Sequence, residues 1–214
     1  MKTFALSTGR GLYVITDGPR PDLIDAVARA LAGGARLLQY RDKSADSARR
    51  HNEAAALRQL CDTYGVPLII NDDTALAQAV AADGVHLGKD DGDLAAARAV
   101  LGAGAIIGVS CYDSLQRATA AASAGASYIA FGAFFPSPTK PLAPRASIEL
   151  LRQSAALGVP RVAIGGITPD NAASLIEAGA DYLAVISAVF GADDVRHSAQ
   201  RFTDLYSSHP GTAP

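Results

Sequence analysis

Gly33-Gly34-Ala35-Arg36-Leu37-Leu38-Gln39-Tyr40-Arg41-Asp42-Lys43 joins a helix stop, a buried strand and a charged strand end. Glycine accepts the left-handed backbone conformation that closes a helix, so Gly33-Gly34 ends the alanine-rich segment 22–31 before it. A strand over residues 36–41 follows at once. Residues two apart on a strand share a face, so Gln39, Arg41 and, on a continued extended path, Lys43 project together with Leu37 beneath them. Clustered cations repel unless an anion lies between them, which points to an anionic ligand. Taken alone, a strand running out into solvated charges paired with Asp42 explains the stretch equally well.

The same grammar recurs along the chain. Ala82-Asp83-Gly84, Ala124-Gly125-Ala126 and Ala178-Gly179-Ala180 each read as the end of a helix leading into a strand, with glycine as the cap. β-rich runs at 12–16, 36–41, 67–71, 84–88, 106–110, 128–132, 161–166 and 182–187 alternate with segments of helical composition, clearest at 22–31, 46–64, 113–124, 169–178 and 194–206. The strands are nearly continuous apolar runs, as burial on both faces by flanking helices produces. Eight αβ units close most simply into a single (β/α)8 barrel, an α/β TIM barrel with short loops; an open doubly wound sheet is the alternative. Gly9-Arg10-Gly11 precede the first strand instead of following it, so a dinucleotide-binding turn fails on context. One domain over residues 1–206 is expected, with a frayed polar tail at 207–214.

Composition narrows the function. The chain has 214 residues, 49% hydrophobic and 19% charged, enough for a sizeable core. A net charge of −2 and a pI near 6.0 argue against a nucleic-acid or membrane-surface binder, so any positive charge that matters is local. Cys61 and Cys111 are too few for a disulfide framework or a cysteine zinc site, and a reduced cytoplasmic setting is expected. Residues 1–7 hold no apolar run long enough for a signal peptide or a membrane span.

In a barrel the chemistry gathers at the C-terminal ends of the strands. Those ends carry Gln39, Arg41 and Lys43; Asn71-Asp72-Asp73; Gly88-Lys89-Asp90-Asp91; Ser110; Phe134-Phe135-Pro136-Ser137-Pro138-Thr139-Lys140; Gly165-Gly166; and Ile186-Ser187. Asp72 and Asp91 follow adjacent strands, and a divalent cation between them would keep both ionised. A small set of oxygen ligands suits Mg²⁺, which retains waters and accepts phosphate oxygens. Asp73 and Asp93 read instead as helix N-caps. Gly165-Gly166 and Ile186-Ser187 stand where barrels hold a phosphate on backbone N–H groups, although a glycine pair also serves a plain tight turn. The 134–140 loop offers two hydroxyls and an ammonium on a backbone stiffened by Pro136 and Pro138, a rigid donor array that suits an anion, although an ordinary proline-rich connection has the same composition. Cys111 has no histidine close in sequence to activate it, and His86, inside a strand, reads as a hydrogen-bonded structural residue. His51, His197 and His209 are given no role.

Together these motifs, in order from Tyr13 to Ser187, resemble the thiamine-phosphate synthase family. The resemblance implies a TIM barrel that joins 4-amino-2-methyl-5-hydroxymethylpyrimidine diphosphate to a thiazole phosphate and releases pyrophosphate, with CO2 lost from a carboxylated thiazole and one Mg²⁺ per active site. It implies that Gln39, Tyr40, Arg41, Asp42, Lys43, Asn71, Ser110 and Lys140 hold the pyrimidine diphosphate, with Arg41, Lys43, Ser110 and Lys140 catalytic. Asp72 and Asp91 would hold the metal; Ser137, Pro138, Thr139, Gly166, Ile186 and Ser187 would hold the thiazole phosphate. Two departures stand out: Lys89-Asp90 replace a common Gln-Glu pair, and Ser137 replaces a common threonine. A related thiazole tautomerase resembles this barrel but usually lacks part of the diphosphate and metal set. A non-catalytic phospholigand-binding barrel is the other alternative. Small molecules are the expected partners, with no nucleic acid and no membrane, and a homo-oligomer is left open. No strand-end residue offers a general base, which a ring nitrogen attacking through its lone pair does not need.

Overall fold

Alternating side-chain direction along short parallel strands gives this chain two cores, one inside the sheet and one outside it. The structure, a computed structural model, describes residues 6, 9–88, 93–136 and 145–209. Its strands are β1 (Gly11–Ile15), β2 (Leu37–Tyr40), β3 (Leu68–Asn71), β4 (Gly84–Leu87), β5 (Ile106–Tyr112), β6 (Tyr128–Phe131), β7 (Arg161–Ile164) and β8 (Tyr182–Val185). They form a closed barrel in sequence order, every pair parallel, and β8 returns to β1 with Gly11 beside Tyr182 and Val14 beside Val185. That closure excludes the doubly wound alternative.

Tyr13, Leu37, Ile69, Tyr128, Val162 and Tyr182 belong to the cluster that fills the barrel. Their neighbours Leu12, Leu38, Leu68, Ile129, Ala163 and Leu183 belong to the larger cluster beneath the helices. Both faces are therefore apolar, which is why the strands read as unbroken hydrophobic runs.

The outer layer is α1 (Leu23–Ala32), α2 (Ser47–Tyr64), α3 (Thr74–Ala79), α4 (Leu94–Leu101), α5 (Leu115–Ser123), α6 (Glu149–Gln153), α7 (Ala173–Glu177), α8 (Ser187–Phe190) and α9 (Val195–Ser208), with a 3-10 turn at Ser154–Leu157. Asp46, Asp73, Asp93, Ser114 and Asp194 each accept a backbone N–H at a helix start, so Asp73 and Asp93 are the N-caps that the sequence predicts. One repeat departs from expectation. Gly84 is no helix cap but lies within β4, where a Cβ would run into the backbone of Ile106, and Ala81 supplies the left-handed residue after α3 with φ 51°. α9 also runs on to Ser208, past the expected domain boundary at 206. Among the described residues no helix is long and apolar enough to cross a membrane.

Candidate active site at the barrel mouth

The exit of β2 is fixed by Thr16. Its Oγ1 accepts from the Arg41 N–H at 2.8 Å and donates to the Arg41 carbonyl at 3.1 Å. The Arg41 backbone is thus held, while its guanidinium makes no hydrogen bond or ion pair with any described residue. Across the strand gap, Lys43 Nζ lies 3.1 Å from Asp72 Oδ2, and Asn71 Nδ2 donates to the same oxygen at 2.5 Å. Asp72 adopts φ 63°, a left-handed conformation costly for a residue with a Cβ, and its N–H bonds the His86 carbonyl at 2.9 Å. Asp73 turns the other way: one oxygen caps α3 and the other pairs with Arg50 at 2.7 Å. Asp42, Lys43, Ser44, Arg50, Asn71, Asp72, Asp73 and Thr74 border an open pocket of about 560 Å³.

The run Gln39 to Lys43 divides by alternation. Gln39 points into the barrel. Tyr40 turns towards the helix layer, and Asp42 bonds to α2 while still bordering the pocket. The Tyr40 hydroxyl donates to Glu53 on α2 at 2.7 Å. Asp42 accepts from Arg49 at 2.6 Å and from the Ser44 N–H at 2.8 Å. Burial works to raise its pKa, but these hydrogen bonds prevail and hold the carboxyl below its usual range.

On the far side of the mouth, Gly165 and Gly166 both have positive φ, 105° and 64°. A Cβ on Gly166 would collide with the Phe135–Pro136 backbone, and the Gly166 carbonyl is held by Asn171 Nδ2 at 3.0 Å. This turn therefore needs glycine for its own sake. Its N–H donates to no acceptor among the described residues, as an anion cradle requires. Ile186 and Ser187 end β8 and open α8.

Between the two sides runs a chain of hydrogen bonds that includes His86, the hydrogen-bonded strand residue that the sequence predicts, and joins it to Gln39 and Ser110. Gln39 Nε2 donates to the Tyr13 hydroxyl at 2.6 Å, and that hydroxyl lies 2.8 Å from the Tyr128 hydroxyl. Tyr128 reaches His86 Nδ1 at 3.0 Å, and His86 Nε2 reaches Ser110 Oγ at 2.8 Å. Gly108 makes the crossing feasible. It lies between His86 and Tyr128 in the sheet register, and a Cβ there would occupy the place of the Tyr128 ring. The two rings stack at 17° with centroids 5.6 Å apart. Burial pushes the His86 pKa down to about 4, against a smaller opposing pull from Asp72, so the ring is neutral at pH 7. Tyr13, Tyr128 and His86 were detectable only as polar aromatic groups at inward strand positions.

Ser110 is anchored from outside as well: Arg117 Nε donates to its carbonyl at 2.7 Å while Nη2 donates to the Gly88 carbonyl at 3.1 Å. Cys111 faces the helix layer, and burial raises its thiol to about 11, so it is no nucleophile. Asp91, Ser137, Pro138, Thr139 and Lys140 lie outside the described residues, as do Lys89 and Asp90.

Comparison with known proteins gives a consistent result. A family model described as thiamine monophosphate synthase matches residues 12–189. A thiamine-phosphate synthase of Azoarcus sp. (strain BH72) is 61% identical over 201 residues, covering 92% of this chain and 98% of the relative. One from Xanthomonas campestris pv. campestris (strain 8004) is 57% identical over 198 residues, covering 92% of this chain and 96% of the relative. The solved thiamine phosphate pyrophosphorylase of Pyrococcus furiosus superposes with a TM-score of 0.85 at 36% identity, over 96% of this chain and 100% of that one.

Proposed function

The chain belongs to the thiamine monophosphate synthase family and condenses pyrimidine and thiazole moieties to thiamine phosphate, and we propose that it does so by easing pyrophosphate out before the thiazole nitrogen attacks. The observation that carries this reading is the mouth itself: two cations at the end of β2, one of them without a partner among the described residues, face Asn71 and Asp72, and the Asp72 carboxylate is already engaged by Lys43 and Asn71. His86 has both nitrogens engaged and resists protonation above pH 4, and Cys111 is turned away. A mechanism that begins with proton removal has no support here. One that begins with loss of an anionic leaving group has a great deal.

In this reading Arg41 grips the diphosphate with paired N–H bonds, a geometry open to guanidinium and not to ammonium. Lys43 exchanges its contact with Asp72 for the substrate, which its exposed position permits, its side chain being 61% exposed. Asn71 keeps Asp72 in place through that exchange. Ser110 and Gln39 orient the pyrimidine ring so that its amino group can delocalise the cationic methylene formed as the C–O bond breaks. The ring nitrogen of the thiazole then forms the new C–N bond without losing a proton. Gly166 and Ser187 take the thiazole phosphate on backbone N–H groups, with Ile186 beside them. Asp72 suits Mg²⁺ by chemistry: it is a hard oxygen donor, partly exposed, bound to a lysine that can be displaced. With Asp91 it would hold the ion, which supplies charge neutralisation on the leaving pyrophosphate.

Formation of thiamine phosphate by purified protein, given Mg²⁺ and both substrates, tests the reading. Binding of both substrates without turnover would support a ligand-binding barrel instead, and turnover of a thiazole isomer alone would support a tautomerase. Replacing the pyrimidine methyl group with trifluoromethyl should slow single turnover by orders of magnitude. Unchanged rates would mean direct displacement.

A further inference from the structure

The five polar side chains that cross the barrel have a direction, and the direction follows from Gln39. Its Nε2 can only donate, so the Tyr13 hydroxyl accepts from it at 2.6 Å. Buried Tyr13 has one other hydrogen-bond partner among the described residues, the Tyr128 hydroxyl at 2.8 Å, so its own proton points there. Tyr128, having accepted that proton, donates to His86 Nδ1 at 3.0 Å. His86 then carries its single proton on Nε2 and donates it to Ser110 Oγ at 2.8 Å. Ser110 Oγ accepts within the protein, and its own proton is left for a ligand. At the other end the Gln39 Oε1 receives no bond from any described residue and is left as an acceptor.

We propose that this one-way relay makes the barrel mouth specific for a 4-aminopyrimidine, with Ser110 donating to a ring nitrogen and Gln39 accepting from the amino group next to it. The inference rests on the placement of the pyrimidine at Gln39 and Ser110 in the proposed function, and it adds the proton map. Tyr13, Tyr128 and His86 are positioning residues in it: they touch no substrate and act through the two groups that do. A 4-oxo pyrimidine diphosphate, in which a carbonyl replaces the amine and the adjacent ring nitrogen carries a proton, sets acceptor against acceptor at Gln39 and offers the Ser110 proton no ring nitrogen to bond. A site built to bond a group rejects an analogue that reverses it by about 10⁴-fold in kcat/KM.

The relay is testable without any substrate. Nitrogen-15 NMR of the ligand-free protein, with the His86 signals assigned by their loss in His86→Gln, should show the Nε2–H tautomer and an unprotonated, hydrogen-bonded Nδ1. An Nδ1–H tautomer would mean that the Gln39 amide is turned over and every bond in the chain reversed, which overturns the proposal. Tyr128→Phe removes one oxygen and should abolish the tautomer preference. It should also lower selectivity for the amino over the oxo pyrimidine diphosphate at least tenfold, leaving the KM for thiazole phosphate within about twofold. Tyr13→Phe, which cuts the same chain nearer its source, should act in the same direction and serves where Tyr128→Phe folds poorly. Unaltered selectivity in a folded variant of either kind would show the tyrosines to be structural only. Lack of thiamine phosphate synthesis by the unmodified protein would fail the reaction assigned above. The tautomer would still stand or fall by its own spectrum.

Discussion

The two sides of the barrel mouth meet anions by opposite means. Between β2 and β3 the tools are long side chains: Arg41 without a partner among the described residues, Lys43 leaning on Asp72, Asn71 bracing that aspartate. Between β7 and β8 the tool is the backbone, bent through Gly165 and Gly166 at φ 105° and 64° and roofed by Phe135 and Pro136. The difference separates function from fold in one place and fuses them in the other. A cation on a side chain can be removed while the strand beneath it stays put. A glycine cradle cannot be altered without disturbing the turn that forms it.

The sharpest break should come at Asp72. Asp72→Asn keeps the shape and the hydrogen bond from Asn71 but halves the proposed metal ligation, and about a hundredfold higher Mg²⁺ requirement is expected, with thermal stability nearly unchanged. Wild-type metal dependence in this variant would remove Asp72 from the metal site. Arg41→Ala should come next. Loss of a charge-assisted contact of about 1.5–3 kcal/mol lowers kcat/KM for the pyrimidine diphosphate by roughly ten- to over a hundredfold, and Arg41→Lys should restore little of it.

On the glycine side the contrast predicts coupled losses. Gly166→Ala forces a Cβ into left-handed backbone, at about 1–2 kcal/mol, and against Phe135 and Pro136 besides, so stability and thiazole phosphate affinity should fall together. Pyrimidine diphosphate affinity, titrated separately, should hardly move; equal loss of both would show that the two sides are one site.

The ground between the two sides carries a pH signature. His86 has its folded pKa lowered to about 4, so below about pH 6.5 the unfolded chain takes up a proton that the folded one refuses. Its contribution is fully present above pH 6.5 and is lost as pH falls towards 4. Because the ring is only partly covered from water, the loss is about 2 kcal/mol, short of the value for complete burial. Urea denaturation at pH 7.5 and 4.5 should show this decline, and His86→Gln should flatten it. The smallest effect belongs to Tyr40→Phe, which deletes the bond to Glu53. Stability should drop by about 1 kcal/mol, and substrate affinities should not change.

That last prediction marks how far the sequence could be read. The strands were legible because burial on both faces writes itself as unbroken apolar runs, and each was placed with ends no more than about two residues out. α3, α4 and α6 were not, since helices this short are held by packing and leave little periodic pattern. The cations at the end of β2 were legible for the same reason that they are functional: charge at the end of a buried strand is conspicuous. Tyr40 and Asp42 fall on the other face of that run, as the alternation that joins Gln39 to Arg41 requires, and their bonds to Glu53 and Arg49 on α2 were not legible in it. The relay was illegible because its members come from β1, β2, β4, β5 and β6. Only barrel register brings them together.

Closure has a consequence in time. β1 finds one of its two hydrogen-bonding neighbours in β8, and α9 locks the join through Thr203 Oγ1, which donates to the Gly33 carbonyl at 2.9 Å on the far side of the chain. A ribosome that has delivered only the first seven strands has therefore made a sheet with two naked edges. The barrel can shut only when residues 182–185 emerge. Such late, distant pairing slows folding and leaves strand edges open to neighbouring chains in the interval, so the nascent protein is most exposed to aggregation just before synthesis of its last strand.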